Sequence, residues 1–296
     1  LELKEYEKAE QIFKSLIKNK KNLSESFYNL GILYQKINNF NLSIEFFERA
    51  IHKNNQNYQF FNSIGISYQR IFNYAKAELA YKNAINLNNK SDKAYSNLGL
   101  LKQKSGFYEE AIYYYNLALK LKPNNAGILF NKSLCFLESG NFKEGISLYK
   151  WRLGGIYKDN SSIKLENIKK KKVLITCDQG LGDTILFSRF LKLLLDFKTE
   201  ITLIVSEKMT DLMKCIDSRI KIISSIDTVN KYDYSFSLGD LINIFSLQEG
   251  NIPKFQNYFN IKEEYIQKWS GKINKQKFNI GIVWQGKKKE INVFVK

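Results

Sequence analysis

The chain has 296 residues, with 46 Lys+Arg against 29 Asp+Glu, three Cys and a single His. Hydrophobic residues at 44% and aromatics at 14% supply enough apolar surface for a sizeable core, which excludes wholesale disorder. The net charge of +17 raises the question of an anionic partner, but it divides as 23 − 14 = +9 over residues 1–160 and 23 − 15 = +8 over 161–296, an even spread that marks no nucleic-acid face.

From the N-terminus the sequence repeats every 34 residues. Gly31, Gly65, Gly99 and Ser133 form one column, and Tyr34, Tyr68, Lys102 and Phe136 a second. Ser43, Ala77, Ala111 and Gly145 form a third, and Phe47, Tyr81, Tyr115 and Tyr149 a fourth. Ala50, Ala84 and Ala118 add a fifth that ends at Arg152. Small residues let two antiparallel helices approach closely, and the aromatics fill the space beside them. Short turns belong at Asn38-Asn39, Phe72-Asn73, Ser105-Gly106 and Ser139-Gly140. The units are 24–57, 58–91, 92–125 and 126–157. Residues 1–23 match only the second helix of an earlier unit, through Ala9, Phe13 and Leu16, so the array is expected to be cut at its N-terminus. These columns resemble the tetratricopeptide repeat, which implies an α-helical solenoid over residues 1–157.

In that fold the first helix of each unit lines the concave surface. Its polar positions recur here as Asn29, Asn97 and Asn131, with Asn62-Ser63 in the second unit. Gln35, Gln69 and Gln103 recur as well, each followed by a base: Lys36, Arg70 and Lys104. Such a ladder offers amides to an extended peptide backbone and bases to acidic side chains, so a protein or peptide is the expected partner. A solvated inner face, or self-association, fits the same residues. His52 falls near the end of a second helix, in an exposed position, and Tyr113-Tyr114-Tyr115 reads mainly as packing.

The period stops after Trp151-Arg152-Leu153, and 158–172 reads as a polar linker ending in Lys169–Lys172. That lysine run is a solvated lead-in to a buried strand, not a nucleic-acid site. Strands are expected at 173–177, 201–205, 220–223, 234–236 and 279–284. Helices are expected at 184–196, 207–216 and 261–271, an alternation that implies an α/β doubly wound, Rossmann-like parallel sheet with the first strand central. The loop Asp178-Gln179-Gly180-Leu181-Gly182-Asp183 follows that strand, where two glycines allow a sharp turn and helix N–H groups face an anion or a sugar hydroxyl. It lacks the third glycine of the dinucleotide fingerprint and the lysine of a P-loop. Cys135, Cys177 and Cys215 have no paired spacing, which fits a reducing cytosol and argues against a disulfide framework or a zinc site. With one His, no metal site is expected. No apolar run approaches the ~18 residues of a membrane span, and no signal peptide is recognisable.

The segment VLITCDQGLGDTILFSRFL (173–191), the later strand NIGIVWQG (279–286) and the final repeat GNFKEGISLYKWRL (140–153) together resemble a bacterial group of tetratricopeptide proteins. The C-terminal half of that group is similar to a GT-B glycosyltransferase related to the heptosyltransferases. The resemblance implies that 158–296 is the N-terminal lobe of such a fold. It also implies glycosyl transfer from a nucleotide sugar to a glycan or protein acceptor, in a bacterial cytoplasm. Asp183 then corresponds to the general base on the acceptor hydroxyl, with Gln179, Gly180, Gly182, Thr184, Gln285 and Gly286 around the acceptor or an anion. The other reading of Asp183 is a cap for the following helix. After Gly286 the chain departs from the group, running Lys287-Lys288-Lys289 to Lys296 with no second alternating domain, so truncation at both ends is expected. No cofactor is expected beyond the nucleotide-sugar donor of a complete enzyme. The alternative function is a non-catalytic interaction scaffold that uses the repeat groove.

Overall fold

The computed structural model describes residues 2–153, 163–177, 180–225, 231–247, 250, 252–253, 258–261 and 263–270. They fall into two compact units, one over 1–162 with 246–252 and the other over 163–245 with 253–296. No helix among the described residues is long and apolar enough to cross a membrane.

The first unit begins with α1 (Glu2–Lys18), a single helix whose Ala9 and Phe13 pack on the cluster of Leu30, Leu33 and Tyr34. Four helical hairpins follow. They pair α2 (Leu23–Lys36) with α3 (Phe40–Lys53), α4 (Tyr58–Arg70) with α5 (Tyr74–Leu87), α6 (Asp92–Lys104) with α7 (Tyr108–Leu121), and α8 (Ala126–Glu138) with α9 (Phe142–Tyr149). A 3-10 turn, Lys150–Leu153, closes the last hairpin.

The predicted small-residue columns set the distance between paired helices. A Cβ built on Gly31 would lie 2.5 Å from the Phe47 ring, on Gly65 2.6 Å from Tyr81, and on Gly99 2.9 Å from Tyr115. Those rings are themselves fully buried, so none can swing away. The fourth hairpin inverts the arrangement. Its first helix carries Ser133, whose hydroxyl donates to the Gly145 carbonyl at 2.7 Å, and the glycine has moved to the second helix, against Leu137.

Each hairpin turns in the same way. Asn38, Phe72, Gly106 and Gly140 have φ of 62°, 62°, 79° and 83°, the left-handed conformation. In all four, the N–H of this residue and of the next return to the preceding helix: Phe72 N–H to Gln69 O at 3.1 Å and Asn73 N–H to Tyr68 O at 2.9 Å, for example. This is the Schellman closure, which satisfies helix-terminal carbonyls and favours Gly or Asn at the left-handed position. In the first two hairpins the following residue then caps the second helix, Asn39 toward Leu42 N–H and Asn73 toward Lys76 N–H, both at 3.3 Å. Asn57, Ser91 and Asn125 cap the first helices of the next units in the same manner.

The second unit holds a four-stranded parallel sheet of β1 (Lys172–Thr176), β2 (Glu200–Ile204), β3 (Lys221–Ile223) and β4 (Tyr234–Ser237), in the order β3-β2-β1-β4. Ile175 pairs with Leu203 on one side and Phe236 on the other, and all three are fully buried. Short helices precede, separate and follow the strands along the chain: α10 (Leu165–Ile168), α11 (Leu181–Ser188), α12 (Leu191–Leu195), α13 (Thr210–Lys214), α14 (Leu241–Ile244) and α15 (Glu263–Ser270). The expected helix over 184–196 is therefore two helices that break at Arg189-Phe190, and it starts earlier, at Leu181. The expected 207–216 helix is a 3-10 turn at Glu207–Met209 followed by α13. The expected strand at 279–284 lies outside the described residues, as does the 157/158 boundary.

Since Gly65 faces a buried ring, Gly65→Ala should destabilise the array by about 1–3 kcal/mol. Thermal unfolding checks this, with Gly182→Ala as a control, because a Cβ on Gly182 meets nothing within 4 Å. Equal melting temperatures for the Gly65 variant and the parent protein would contradict the packing argument.

Candidate functional site

First helices of successive units stack side by side, so the polar residues facing away from their partner helices form a continuous inner surface. A groove of about 590 Å³ runs along it, lined by residues of α2, α4, α6 and α8 that include Gln35, Asn62, Asn97 and Asn131. Tyr28, Tyr58, Ile32 and Ile66 add aromatic and apolar lining, and Lys90, Lys93 and Asp92 are its charged residues.

Two hydrogen bonds along the groove join adjacent first helices at a sequence separation of 35, one repeat plus one residue. Asn97 Nδ2 donates to Asn62 Oδ1 at 2.9 Å, and the Tyr28 and Ser63 hydroxyls lie 3.3 Å apart. An amide side chain has two N–H donors and an acceptor oxygen with two lone pairs. Among the described residues the Asn62 NH2 and the Asn97 side-chain carbonyl make no further hydrogen bond.

The glutamines serve the scaffold first. Gln69 Oε1 accepts from the Tyr81 hydroxyl at 2.9 Å, and Gln103 Oε1 accepts from that of Tyr115 at 2.8 Å. In the first unit the aromatic is Phe47, which has no hydroxyl. Gln35 instead donates to Ser63 O at 3.1 Å and Ser67 Oγ at 2.8 Å in the next unit. Gln103 also donates to Glu138 Oε2 at 2.9 Å. Asn29 is half-buried on α2 and outside the groove lining.

Lys36, Arg70 and Lys104 do not line the groove. They sit exposed in the last turn of their helices, beside the hairpin turns. Tyr28, Tyr58, Lys90 and Lys93 line it without having been singled out in the sequence. The missed signal for Tyr28 was its own column, because Asn62 and Ser96 follow it at 34-residue steps while Asn29 aligns with Ser63.

One ion cluster stabilises the array near that edge. Lys102 is nearly buried, yet its ammonium lies 3.0 Å from both Glu78 and Glu110, and Glu78 also meets Lys82 at 2.7 Å. Lys82 foremost, and then Lys102 against the opposing effect of burial, hold the Glu78 carboxyl below its ordinary value. Burial pulls the Lys102 ammonium down, but Glu110 and Glu78 more than offset it and hold the value up.

In the second unit, β1 delivers the chain to α11. Gly180 is the N-cap of that helix in an ordinary extended conformation, φ −65° and ψ 170°, and Thr184 N–H closes on its carbonyl at 3.0 Å. Gly182 and Asp183 thus lie in the first helical turn and not in a loop, and Asp183 is not the cap. Its carboxylate stands at the positive end of the helix, with no ion pair or side-chain hydrogen bond among the described residues. Thr184 is buried, its hydroxyl donating to Gly180 O at 3.2 Å. Gln179, Gln285 and Gly286 lie outside the described residues. No group of His, Cys, Asp and Glu able to hold a metal occurs among the described residues.

Comparison with known proteins agrees with the repeat reading. The tetratricopeptide repeat family matches residues 92–125 and again 24–52. The helical hairpins of the first unit are thus a solenoid that contains tetratricopeptide repeats. No curated protein matches the chain in sequence. Among solved structures, MamA is similar at 24% identity, covering 50% of this chain and 87% of its own, with a TM-score of 0.46. A thermophilic TPR protein of Thermus thermophilus is similar at 18% identity over 53% and 86%, TM-score 0.46. YrrB, described as a TPR protein with an unusual peptide-binding site, is similar at 16% identity over 52% and 79%, TM-score 0.43.

The Glu78 cluster yields a pH-dependent outcome. A carboxyl whose value is lowered by folding adds stability above its ordinary value near 4.5 and loses it as pH falls through the lowered one. Glu78→Gln should therefore lower the melting temperature at neutral pH, and the gap to the parent protein should close toward acid. A gap that widens on acidification would contradict the assignment.

Proposed function

We propose that this protein is an interaction module whose repeat groove holds an extended segment of a protein partner. The Asn62–Asn97 rung carries the reading, because it presents one free donor pair and one acceptor to a strand-like main chain. Asn131 continues the line of amides, Tyr28 and Tyr58 offer faces for side chains, and Lys90 and Lys93 favour acidic residues in the ligand. The proposed limits of the array remain 1–157, with a separate sheet domain over 158–296.

The test is a fluorescence-anisotropy titration of a labelled, Asp-containing extended peptide against the full chain and its Asn62→Ala and Asn97→Ala variants. Each variant should bind about tenfold more weakly, roughly 1.4 kcal/mol, with an unchanged melting temperature. Unaltered affinity in both variants rejects the groove as the binding surface.

A second reading has one observation in its favour. From β1 the chain adds β2 and then β3 on one side and crosses to add β4 on the other, so the carboxyl end of β1 is a topological switch point. Open parallel sheets bind ligands at such points. The residues there are Gly180, Gly182 and Asp183, and the open space around Gly182 leaves its backbone approachable. A sugar hydroxyl beside Asp183 would give up its proton to the carboxylate as it attacks an activated sugar, which is glycosyl transfer to a glycan or protein acceptor. Incubating the full chain with nucleotide sugars and following nucleoside diphosphate release tests it. Release that is lost in Asp183→Asn supports the reading, whereas no release, or equal release by the variant, rejects it.

A further inference from the structure

The four hairpin turns share one backbone path but not one side-chain chemistry. The left-handed position is Asn38, Gly106 and Gly140 in three of them, residues that tolerate φ near 60–80°, but it is Phe72 in the second. A bulky side chain rarely adopts that region. The cap position one residue later is Asn in three units, where Asn39 and Asn73 accept a helix N–H and Asn141 does not, but it is Phe107 in the third unit, whose side chain has no acceptor to offer α7. Both phenylalanines break the local rule of their own repeat. Neither is repaid by burial, since Phe72 is 78% exposed and Phe107 56%. Residues that violate local preferences without a packing return point to function.

These rings belong to one edge of the solenoid. Ile37 and Ile71 occupy equivalent helix ends beside the first two turns, both exposed. Arg70 of the second unit lies over the Phe40 ring of the first at 5.1 Å, and Lys102 lies over Phe107 at 5.4 Å while reaching back to Glu78 of the second unit. The three turns thus form a continuous ridge. The exposed bases Lys36, Arg70 and Lys104 recur along it at the repeat period, and none has an ion pair or a side-chain hydrogen bond among the described residues. An apolar ridge edged by unpaired bases complements an acidic surface with apolar anchors. Glu110, in the first turn after Phe107, is already answered by Lys102 at 3.0 Å.

We infer that the turn edge of the first three units, built on Ile71, Phe72 and Phe107 and flanked by Lys36, Arg70 and Lys104, is a second docking surface that takes an acidic, apolar-anchored segment of a protein partner. It is distinct from the groove. The substitutions that test it also improve the fold. Phe72→Asn restores a residue suited to the left-handed turn, and Phe107→Asn restores the cap seen at Asn39 and Asn73.

The experiment titrates a labelled peptide of alternating Glu and Leu against the full chain, the two Phe→Asn variants and Asn97→Ala. The same peptide with Gln for each Glu, and vesicles containing phosphatidylserine, are titrated in parallel. The expected result is binding of the Glu-Leu peptide that weakens about tenfold in each Phe variant, while the variant's melting temperature equals or exceeds the parent's. In an Asn97→Ala background Phe72→Asn still weakens binding about tenfold, which separates the edge from the groove, and the Gln peptide and the vesicles bind more weakly. The inference is overturned if the Glu-Leu peptide does not bind, if both Phe variants bind it like the parent, or if the vesicles outcompete it. Weakening in Asn97→Ala with intact binding in the Phe variants also overturns it, and assigns the peptide to the groove.

Discussion

A helix pair can close only as far as the side chains between its backbones allow. Here the gap is set by a glycine facing an aromatic ring, three times over: Gly31 on Phe47, Gly65 on Tyr81 and Gly99 on Tyr115. With no Cβ in the way, the ring lies against the opposing backbone and is fully buried. The ring's own hydroxyl, where there is one, reaches a glutamine of the first helix, as in Tyr81 to Gln69 and Tyr115 to Gln103. Hairpin spacing fixes the pitch of the stack, and the pitch brings first helices close enough for Asn97 to donate to Asn62. The groove is therefore a consequence of the glycine column and not an independent feature.

The same logic separates two kinds of polar residue on the inner helices. Gln69 and Gln103 complete the buried contact and help specify the hairpin, because an unanswered tyrosine hydroxyl in the core would be costly. Asn62, Asn97 and Asn131 face the groove and retain hydrogen-bonding capacity. The bases that follow the glutamines fall outside both groups. Helix geometry turns each by about 100° from its neighbour, which carries Lys36, Arg70 and Lys104 from the inner face to the edge. The two proposed docking surfaces, groove and turn edge, therefore draw on different residues of one repeat.

Much of the fold was legible in the sequence because its determinants are local and periodic. The 34-residue columns placed every hairpin, and the short apolar runs located the described strands to within a residue or two of Lys172–Thr176, Glu200–Ile204, Lys221–Ile223 and Tyr234–Ser237. What escaped was relational. The bonds from Tyr28 to Ser63 and from Asn97 to Asn62 run at 35 residues, out of phase with the columns, so Tyr28 and Ser63 had no shared signal. The break at Arg189-Phe190 splits what reads as one amphipathic helix. Two glycines before Asp183 read as a sharp turn, yet Gly180 takes a backbone conformation open to any residue and α11 begins at Leu181. The fate of Lys36, Arg70 and Lys104 depended on where a helix ends, which a motif does not state.

In the proposed function the amides of the inner helices are the contact surface for a peptide main chain. Side-chain amide resonances report this directly. In a nitrogen-15 spectrum of the full chain titrated with an extended acidic peptide, the account predicts saturable shifts of the Asn62, Asn97 and Asn131 NH2 pairs, with the Gln69 and Gln103 pairs held nearly still by their tyrosine partners. Saturable binding that leaves all three asparagine pairs unmoved would contradict it.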